Sequence, residues 1–309
     1  MLLVFALQCL WSARLTTNTY RRGFFNPKEE DYRWEVVRQR IPVWQFKLIL
    51  TFVLELPVNF VFIAFIQNAL LLAAELPQYL LLTVSAPFHS RSAFTPPPLG
   101  TADYALSGLF ILTLCVEMMA DNQQQRYQHF KINAKSLEKK KNGGDLMKED
   151  DKGMLRRGFV TFGFWSWSRH PNFACEQFTW YILYAFTVIP FLPSTLTLDS
   201  LTHNLLQTST PADALTFAKS LQGLLWNYSM WSPLTMSMLF YASTGLTEEI
   251  SAAKYPLYAE YQRRVGMFWP PITVLKAVWL FVSGQKGTVD DIVFGSAKLV
   301  ANTKKDKVL

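Results

Sequence analysis

The segment YALSGLFILTLCVEMMA, from Tyr104 to Ala120, decides the fold class of this chain, because Glu117 is its single charged residue. A helix of this length reaches most of the way across the roughly 30 Å hydrocarbon layer of a bilayer. We predict that it is one of several transmembrane helices. The other apolar segments are Leu48 to Ala74, Phe173 to Leu192, Ser220 to Ser243 and, as a partial one, Met1 to Trp11.

The composition agrees with a membrane protein. Half of the 309 residues are hydrophobic and 17% are charged, against about 25% in ordinary soluble proteins. The four histidines never stand three or four positions apart, which excludes a histidine-rich di-iron site, and the three cysteines form no CxxC pair. We therefore expect no metal site. The chain also lacks the GxGxxG and GxxxxGK[ST] motifs, so any nucleotide must be held by another kind of site.

The basic residues alternate from loop to loop. Residues 13–47, 121–157 and 244–309 carry 27 of the 30 lysines and arginines, whereas residues 76–102 carry one and residues 194–217 carry none. This alternation is typical of the positive-inside rule and predicts five crossings with a cytosolic C-terminus. The predicted fold class is an all-α, polytopic membrane protein with about five transmembrane helices. A short re-entrant or interfacial helix is predicted over Ile272 to Val282, which is too short to cross.

We predict four regions in chain order. Residues 1–120 hold the N-terminal membrane helices and a basic cytosolic loop, and residues 121–157 form a mobile cytosolic loop. Residues 158–285 form a C-terminal membrane domain, and residues 286–309 form a basic cytosolic tail. Lys305 and Lys307, five and three positions from the end of the sequence, resemble a dilysine signal and predict the endoplasmic reticulum as the location.

Polar residues at membrane depth are costly and mark candidate sites. Gln67 lies in the second predicted crossing, Glu117 and Asp121 lie at the cytosolic end of the third, and Glu176 lies inside the fourth. Glu117 and Asp121 are four positions apart and therefore share one face of a helix. For Gln67 the alternative is an ordinary hydrogen bond between helices.

The richest cluster lies at the cytosolic mouth of the fourth crossing. Pro171 fits the first turn of a helix, and the helix N-terminus flanked by Arg157, Arg169 and His170 predicts an anion site that suits a phosphate-bearing cofactor. The alternative is a positively charged membrane anchor with tryptophans at the headgroup level.

A second cluster follows the last crossing. Glu248 precedes Tyr255, Tyr258 and Tyr261, which recur every three residues and predict one stripe of a helix. Their rings offer flat faces on which a cofactor ring could stack, and an interfacial aromatic helix is the alternative. Both clusters are predicted on the cytosolic side, which favours one shared site.

These residues carry a family resemblance. The run Ser168-Arg169-His170-Pro171-Asn172-Phe173 with Glu176 resembles the SRHPNY..E motif of the DUF1295 family, membrane proteins with a steroid 5α-reductase-type C-terminal domain. The resemblance implies a helical membrane reductase that uses NADPH from a cytosol-facing cavity to reduce a carbon–carbon double bond of a lipid. Further blocks that are similar to the family are Leu10 to Leu15, Glu30 to Trp34, Leu76-Pro77, Ala120-Asp121, Lys254 to Pro256 and Phe268 to Pro270.

The resemblance also implies roles for single residues. Separately from the resemblance, the polar residues at membrane depth supply the candidate catalytic residues, which are Gln67 and Glu117 on the substrate side. The steroid reductases grip a ketone with a Gln-Glu pair that this chain lacks, so a steroid substrate does not follow from the resemblance. The resemblance implies cofactor-binding roles for Asp121, Arg157, Arg169, Asn172, Glu176, Glu248 and Tyr255, with His170 shaping the turn. Tyr258 and Tyr261 join the cofactor-binding candidates through their spacing.

Two other functions stay open. Isoprenylcysteine and phospholipid methyltransferases share an Arg-His-Pro turn and a Glu-Glu pair such as Glu248-Glu249, and they bind S-adenosylmethionine. A non-catalytic membrane subunit that keeps the fold is the third reading, since Phe173 and Ala174-Cys175 depart from the family pattern. The expected partners are a lipid substrate and the bilayer, with no nucleic acid.

Overall fold

The protein is helical throughout the part that can be described. The computed structural model describes residues 2–23, 25, 68–85, 99–138, 149–192 and 210–295, and these residues form helices and short 3-10 turns without a strand. The predicted all-α class is therefore confirmed. The α-helices, in chain order, are α1 (Leu2–Arg21), α2 (Asn68–Ala74), α3 (Leu76–Ser85), α4 (Thr101–Glu138), α5 (Glu149–Arg157), α6 (Pro171–Ala185), α7 (Pro211–Leu225), α8 (Trp231–Lys254), α9 (Tyr258–Arg264), α10 (Pro270–Val282) and α11 (Lys286–Phe294).

Helix α4 is much longer than its apolar segment. It continues 18 residues beyond Ala120, so the first half of the predicted mobile loop at 121–157 is helical instead. Residues 121–138 contain neither glycine nor proline and are rich in glutamine, lysine and other helix formers, which explains the extension. Within the described residues, the part Thr101–Ala134 is the one helix long and apolar enough to cross a membrane. The predicted count of five crossings is not confirmed by this finding.

The apolar segment from Ser220 to Ser243 is not one helix, contrary to the prediction. Helix α7 ends at Leu225, a 3-10 turn spans Tyr228–Met230, and α8 begins at Trp231. Asn227 explains the break, because its side chain accepts a hydrogen bond from the backbone N–H of Ser229 at 2.9 Å and so competes with helical bonding.

Two compact units make up the chain, and they do not follow the predicted regions. The first comprises Met1–Thr113 and Gln177–Phe240, and the second comprises Leu114–Glu176 and Tyr241–Leu309. In the first unit, Trp11 of α1 packs edge-to-face against Trp180 of α6 with ring centroids 5.4 Å apart.

The second unit has its core among the three C-terminal helices. Helix α9 packs against α10 and α11. The predicted short apolar helix at Ile272 to Val282 is confirmed as a helix and extends back to Pro270. The buried residues of this core are Tyr258, Tyr261, Val265, Leu280, Val289 and Val293.

Candidate functional site

The site begins where the chain enters α6. The backbone N–H groups in the first turn of a helix have no partner within the helix, so proline, which has no N–H, suits this position. Helix α6 starts at Pro171, as predicted. The two preceding residues pair with the segment that follows α9. The backbone N–H of Arg169 donates to Gly266 O at 2.9 Å, and that of His170 donates to Met267 O at 3.0 Å. These bonds fix the direction in which α6 begins.

Arg169 and Glu248 form a buried, bidentate ion pair. Arg169 Nε lies 2.6 Å from Glu248 Oε1, and Nη2 lies 2.8 Å from Oε2. The side chains are only 6% and 5% exposed. Two more side chains contact the same carboxylate, His170 Nε2 at 3.0 Å and Gln262 Nε2 at 3.0 Å. Four residues from two distant parts of the sequence therefore form one polar network in the second unit.

Arg169 also donates to two backbone carbonyl groups. Its Nη1 donates to Gln262 O at 3.2 Å and to Val265 O. A guanidinium carries five N–H donors, and these bonds together with the two to Glu248 engage four of them. In this arrangement Arg169 ties α8 to the segment after α9. The predicted anion site at this residue would have to draw its donors from elsewhere.

The network shifts the titration of its members. Burial would raise the pKa of Glu248, but hydrogen bonds from His170 and Arg169 and the charge of Arg169 outweigh burial and lower that pKa to about 2. Burial lowers the pKa of His170, and the hydrogen bond to Glu248 opposes this only in part. The resulting state is a Glu248 carboxylate held by an arginine cation and a neutral histidine.

A second buried group lies beside the start of α6. Asn172 Nδ2 donates to Asp121 Oδ1 at 3.2 Å, which joins α6 to α4 within the second unit. Glu117, one turn before Asp121, and Glu176, one turn after Asn172, are also buried. Among the described residues, Asn172 Oδ1 is buried and accepts no hydrogen bond.

The three predicted cofactor-stacking tyrosines face a protein side chain. Phe159 stacks on Tyr261 with centroids 5.2 Å apart, packs edge-to-face on Tyr258 at 5.0 Å, and lies 5.9 Å from Tyr255. The prediction of one helical stripe is wrong, because α9 begins only at Tyr258. Pro256 disfavours helical backbone in the residue before it, so Tyr255 leaves the helix.

Tyr255 belongs to a separate contact. Lys131 Nζ of α4 donates to Tyr255 OH and to Gly158 O, both at 2.9 Å. Burial would raise the pKa of Tyr255, but the hydrogen bond and charge of Lys131, with Lys254, lower it. Arg157, the residue before Gly158, donates from Nη1 to Gly295 O at 2.6 Å and is also buried.

The predicted candidates thus fall into three groups. Arg169, His170 and Glu248 form one network, and Asp121 pairs with Asn172 near Glu117 and Glu176. The third group is the tyrosine cluster around Phe159, and Arg157 stands two positions before Phe159 in the sequence. Gln67 lies outside the described residues. The sequence did not point to Lys131 and Phe159, which carry no pattern of their own, or to the role of Gln262, although Gln262 directly follows Tyr261.

A cavity of about 320 Å³ in the second unit is lined by none of the residues of these groups. Arg264 on its wall is paired with Asp290 of α11. Since none of the predicted site residues lines it, the buried groups at Asn172 and Glu248 remain the better candidate site. The lining residues are Ser166, Trp167, Arg264, Thr273, Val274, Ala277 and Phe294.

These features define an all-helical protein with a buried, ion-paired polar site built around the start of α6. Residues 1–211 match the family model described as "Protein of unknown function (DUF1295)", and the chain belongs to that family, as the SRHPNF run predicts. The match includes Asp121, Arg169 and Asn172 and ends before Glu248.

The chain is also similar to a curated protein of fission yeast, Schizosaccharomyces pombe. That uncharacterized protein is 34% identical over 268 residues, which is 85% of this chain and 61% of the relative. The chain therefore spans about three-fifths of the length of this relative. No solved structure matches.

Proposed function

We propose that this chain is a membrane-embedded, NADPH-dependent reductase of a carbon–carbon double bond in a lipid. Membership of the DUF1295 family supports the proposal through the motif that runs from Ser168 to Glu176. The single observation that carries the proposal concerns Asn172. Its side-chain oxygen Oδ1 is buried and accepts no hydrogen bond from any residue that the structure describes.

The Asn172 side chain fits the nicotinamide end of such a cofactor. A buried acceptor without a donor costs about 1–3 kcal/mol, and a carboxamide N–H would remove that cost. Nδ2 of Asn172 already donates to Asp121 at 3.2 Å, so Oδ1 of Asn172 is left for a ligand. Asn172 and Asp121 are therefore the proposed cofactor-binding residues, together with Glu176, which is buried one helical turn after Asn172.

The chain's own groups would divide the remaining work. NADPH, when bound, supplies the hydride. Glu117 lies one helical turn before Asp121 and is buried, so it is the proposed proton donor on the substrate side. Gln67 keeps its proposed substrate-side role.

Arg169, His170 and Glu248 act as positioning residues in this proposal. Their hydrogen bonds hold the segment that leads into α6, and Asn172 is only two residues beyond His170. The network would keep the Asn172 amide in one orientation without contacting the cofactor.

The proposed membrane location is supported by exposed apolar side chains. Helix Thr101–Ala134 can cross a bilayer, and Trp279, Phe281 and Val282 of α10 are between 72% and 75% exposed. Side chains of this kind are stable when lipid tails surround them. We also propose residence in the endoplasmic reticulum with a cytosolic C-terminus, from Lys305 and Lys307, which lie outside the described residues.

Ligand-dependent unfolding of the purified full chain in detergent tests the function. NADPH at 100 times its Kd should stabilise the protein by about 2.7 kcal/mol. Asn172→Ala should abolish this stabilisation, and Asn133→Ala, an exposed asparagine of α4, should preserve it.

Each alternative predicts its own result in the same assay. Stabilisation by S-adenosylmethionine and not by NADPH would identify a methyltransferase and overturn the proposal. Stabilisation by neither would identify a non-catalytic subunit. Equal stabilisation of wild type and Asn172→Ala by NADPH would remove Asn172 from the site. Arg169→Ala is a poorer test, because it also leaves the buried Glu248 carboxylate without its cation.

A further inference from the structure

Gln78 is a buried amide whose hydrogen bonds are unused. Its residue is 6% exposed, and both Nε2 and Oε1 lack a hydrogen-bond partner within the described part of the chain. Each buried polar atom left in this state costs about 1–3 kcal/mol. A leucine would pack in the same place without that cost, so the glutamine needs a physical explanation.

Gln78 lies on a continuous buried stripe of the first unit. Ala74, Pro77, Gln78 and Leu81 are buried and recur at the spacing of one helical face, while Glu75 and Tyr79 between them are exposed. Helix α3 packs against the 3-10 turn Tyr228–Met230.

Ser232 locates this contact more closely. Its hydroxyl donates to Ala74 O at 3.1 Å, one turn before Gln78 on the same stripe. The buried amide of Gln78 is therefore near the break between α7 and α8, which interrupts the apolar segment Ser220 to Ser243.

The interruption is polar, and its groups satisfy one another. Asn227 Nδ2 donates to Thr187 Oγ1 at 3.0 Å, and Thr187 Oγ1 lies 3.1 Å from Ser229 Oγ. Asn227 Oδ1 accepts from the Ser229 N–H at 2.9 Å. This network accounts for the residues of the turn but does not reach the amide of Gln78. Irregular backbone within an apolar segment is tolerated where it lines a cavity or is buried in protein.

We propose that Gln78 binds the hydroxyl group of an uncharged lipid alcohol where α3 meets the turn Tyr228–Met230. A carboxamide both donates and accepts hydrogen bonds. Among uncharged lipid groups, a hydroxyl can accept from the amide N–H and can donate to the amide oxygen. A charged headgroup is a poor match, because a neutral amide compensates little of the cost of burying a charge. The segment Leu76–Ser85 contains no charged residue, which suits the hydrocarbon part of such a ligand.

This binding site shares no residue with the proposed cofactor-binding site. Its residues belong to the first unit, whereas Asn172 and Glu248 belong to the second. The proposed lipid site does not depend on whether the chain binds a nucleotide, and the experiment that tests it uses no nucleotide.

Photo-crosslinking of the full chain in detergent tests the site. The probes are hexadecanol, hexadecanoic acid and hexadecane, each carrying a diazirine, and the labelled peptides are identified by mass spectrometry. We expect hexadecanol to label the peptides that contain Leu76–Ser85 or Tyr228–Met230, with competition by unlabelled hexadecanol. Gln78→Leu should reduce this labelling about tenfold, which corresponds to the loss of about 1.4 kcal/mol of hydrogen bonding.

The controls separate binding from folding. Gln222→Leu makes the same change at an exposed position of α7 and should leave labelling unchanged. Gln78→Leu should unfold at the same temperature as the wild type or higher, since it removes an unsatisfied amide, and Gln78→Met is a second variant with an unbranched side chain. Equal labelling by the three probes, or undiminished hexadecanol labelling in both Gln78 variants, would overturn the proposal.

Discussion

Glu248 accepts hydrogen bonds from Arg169, His170 and Gln262, and its side chain is 5% exposed. A buried ion pair stabilises a fold only when the remaining polar atoms are satisfied, because desolvation offsets much of the attraction. Here both carboxylate oxygens are used, and the guanidinium also bonds two carbonyl groups. The network therefore depends on every member.

Neutralising this carboxylate should destabilise the protein strongly. Glu248→Gln leaves the buried Arg169 cation without its counter-charge, and we expect unfolding to become easier by about 3–5 kcal/mol. Thermal and denaturant unfolding in detergent measure the change. Glu249→Gln, at the exposed neighbouring position, should change stability by less than about 0.5 kcal/mol. Equal effects of the two substitutions would contradict the importance of the network.

The same network predicts a dependence on pH. Glu248 has a pKa of about 2 in the folded protein against 4.5 when unfolded, so its contribution is complete above about pH 4.5 and is lost as the pH falls towards 2. The lowered pKa of His170 acts in the same direction below pH 6.5, since the unfolded chain binds that proton more readily.

The measurement is unfolding at a series of pH values in detergent. The stability difference between the wild type and Glu248→Gln should be constant near neutrality and should narrow below about pH 4.5. A difference that stays constant down to pH 3 would show that the carboxylate is not stabilised in the way described.

At the scale of elements, the link between α5 and the turn before α6 depends on one glycine. Gly158 has a φ of +84° and follows α5 directly. A Cβ atom built there would lie 2.4 Å from Cε1 of Tyr255, whose hydroxyl is held by Lys131. Backbone conformation and close packing therefore both require glycine.

Gly158→Ala should consequently destabilise the second unit. The left-handed backbone alone costs about 1–2 kcal/mol, and displacement of the Tyr255 ring adds to it. Gly245→Ala is the matched control, because a Cβ there meets nothing within 4 Å and alanine favours the helix by about 1 kcal/mol. Unfolding midpoints of the two variants should therefore move in opposite directions. A neutral Gly158→Ala would mean that the contact with Tyr255 is loose.

At the scale of the whole molecule, helix Thr101–Ala134 provides a direct test of membrane insertion. Cys115 is exposed on the surface of this helix. If the surrounding medium is lipid, the thiol should resist a charged maleimide in intact membranes and react after denaturation in SDS, because water and the thiolate form are excluded from hydrocarbon.

The test uses Cys115 as the single cysteine, with Cys9 and Cys175 replaced by serine. Glu249→Cys in a cysteine-free chain is the control, since this exposed position is predicted in cytosolic water and should react when the cytosolic side is accessible. Rapid labelling of Cys115 in intact membranes would contradict insertion of this helix.

The sequence by itself determined the helical class, the start of α6 and the short helix α10. Apolar length and proline position are local properties, and local properties decide where a helix forms and where it begins. The residue types also favoured one site shared by the clusters of Arg169 and Glu248, which are 79 positions apart, and the ion pair brings these two residues together.

Tertiary structure alone decided how those groups are used. Arg169 bonds to carbonyl groups after α9, Phe159 fills the space among the tyrosines, and Asn227 interrupts an apolar segment that reads as one helix. Each outcome depends on which distant side chain arrives at a given place, and periodicity carries no information about that. Gln78 is the clearest example, because an amide within an apolar run is unremarkable until its partners are known to be missing among the described residues.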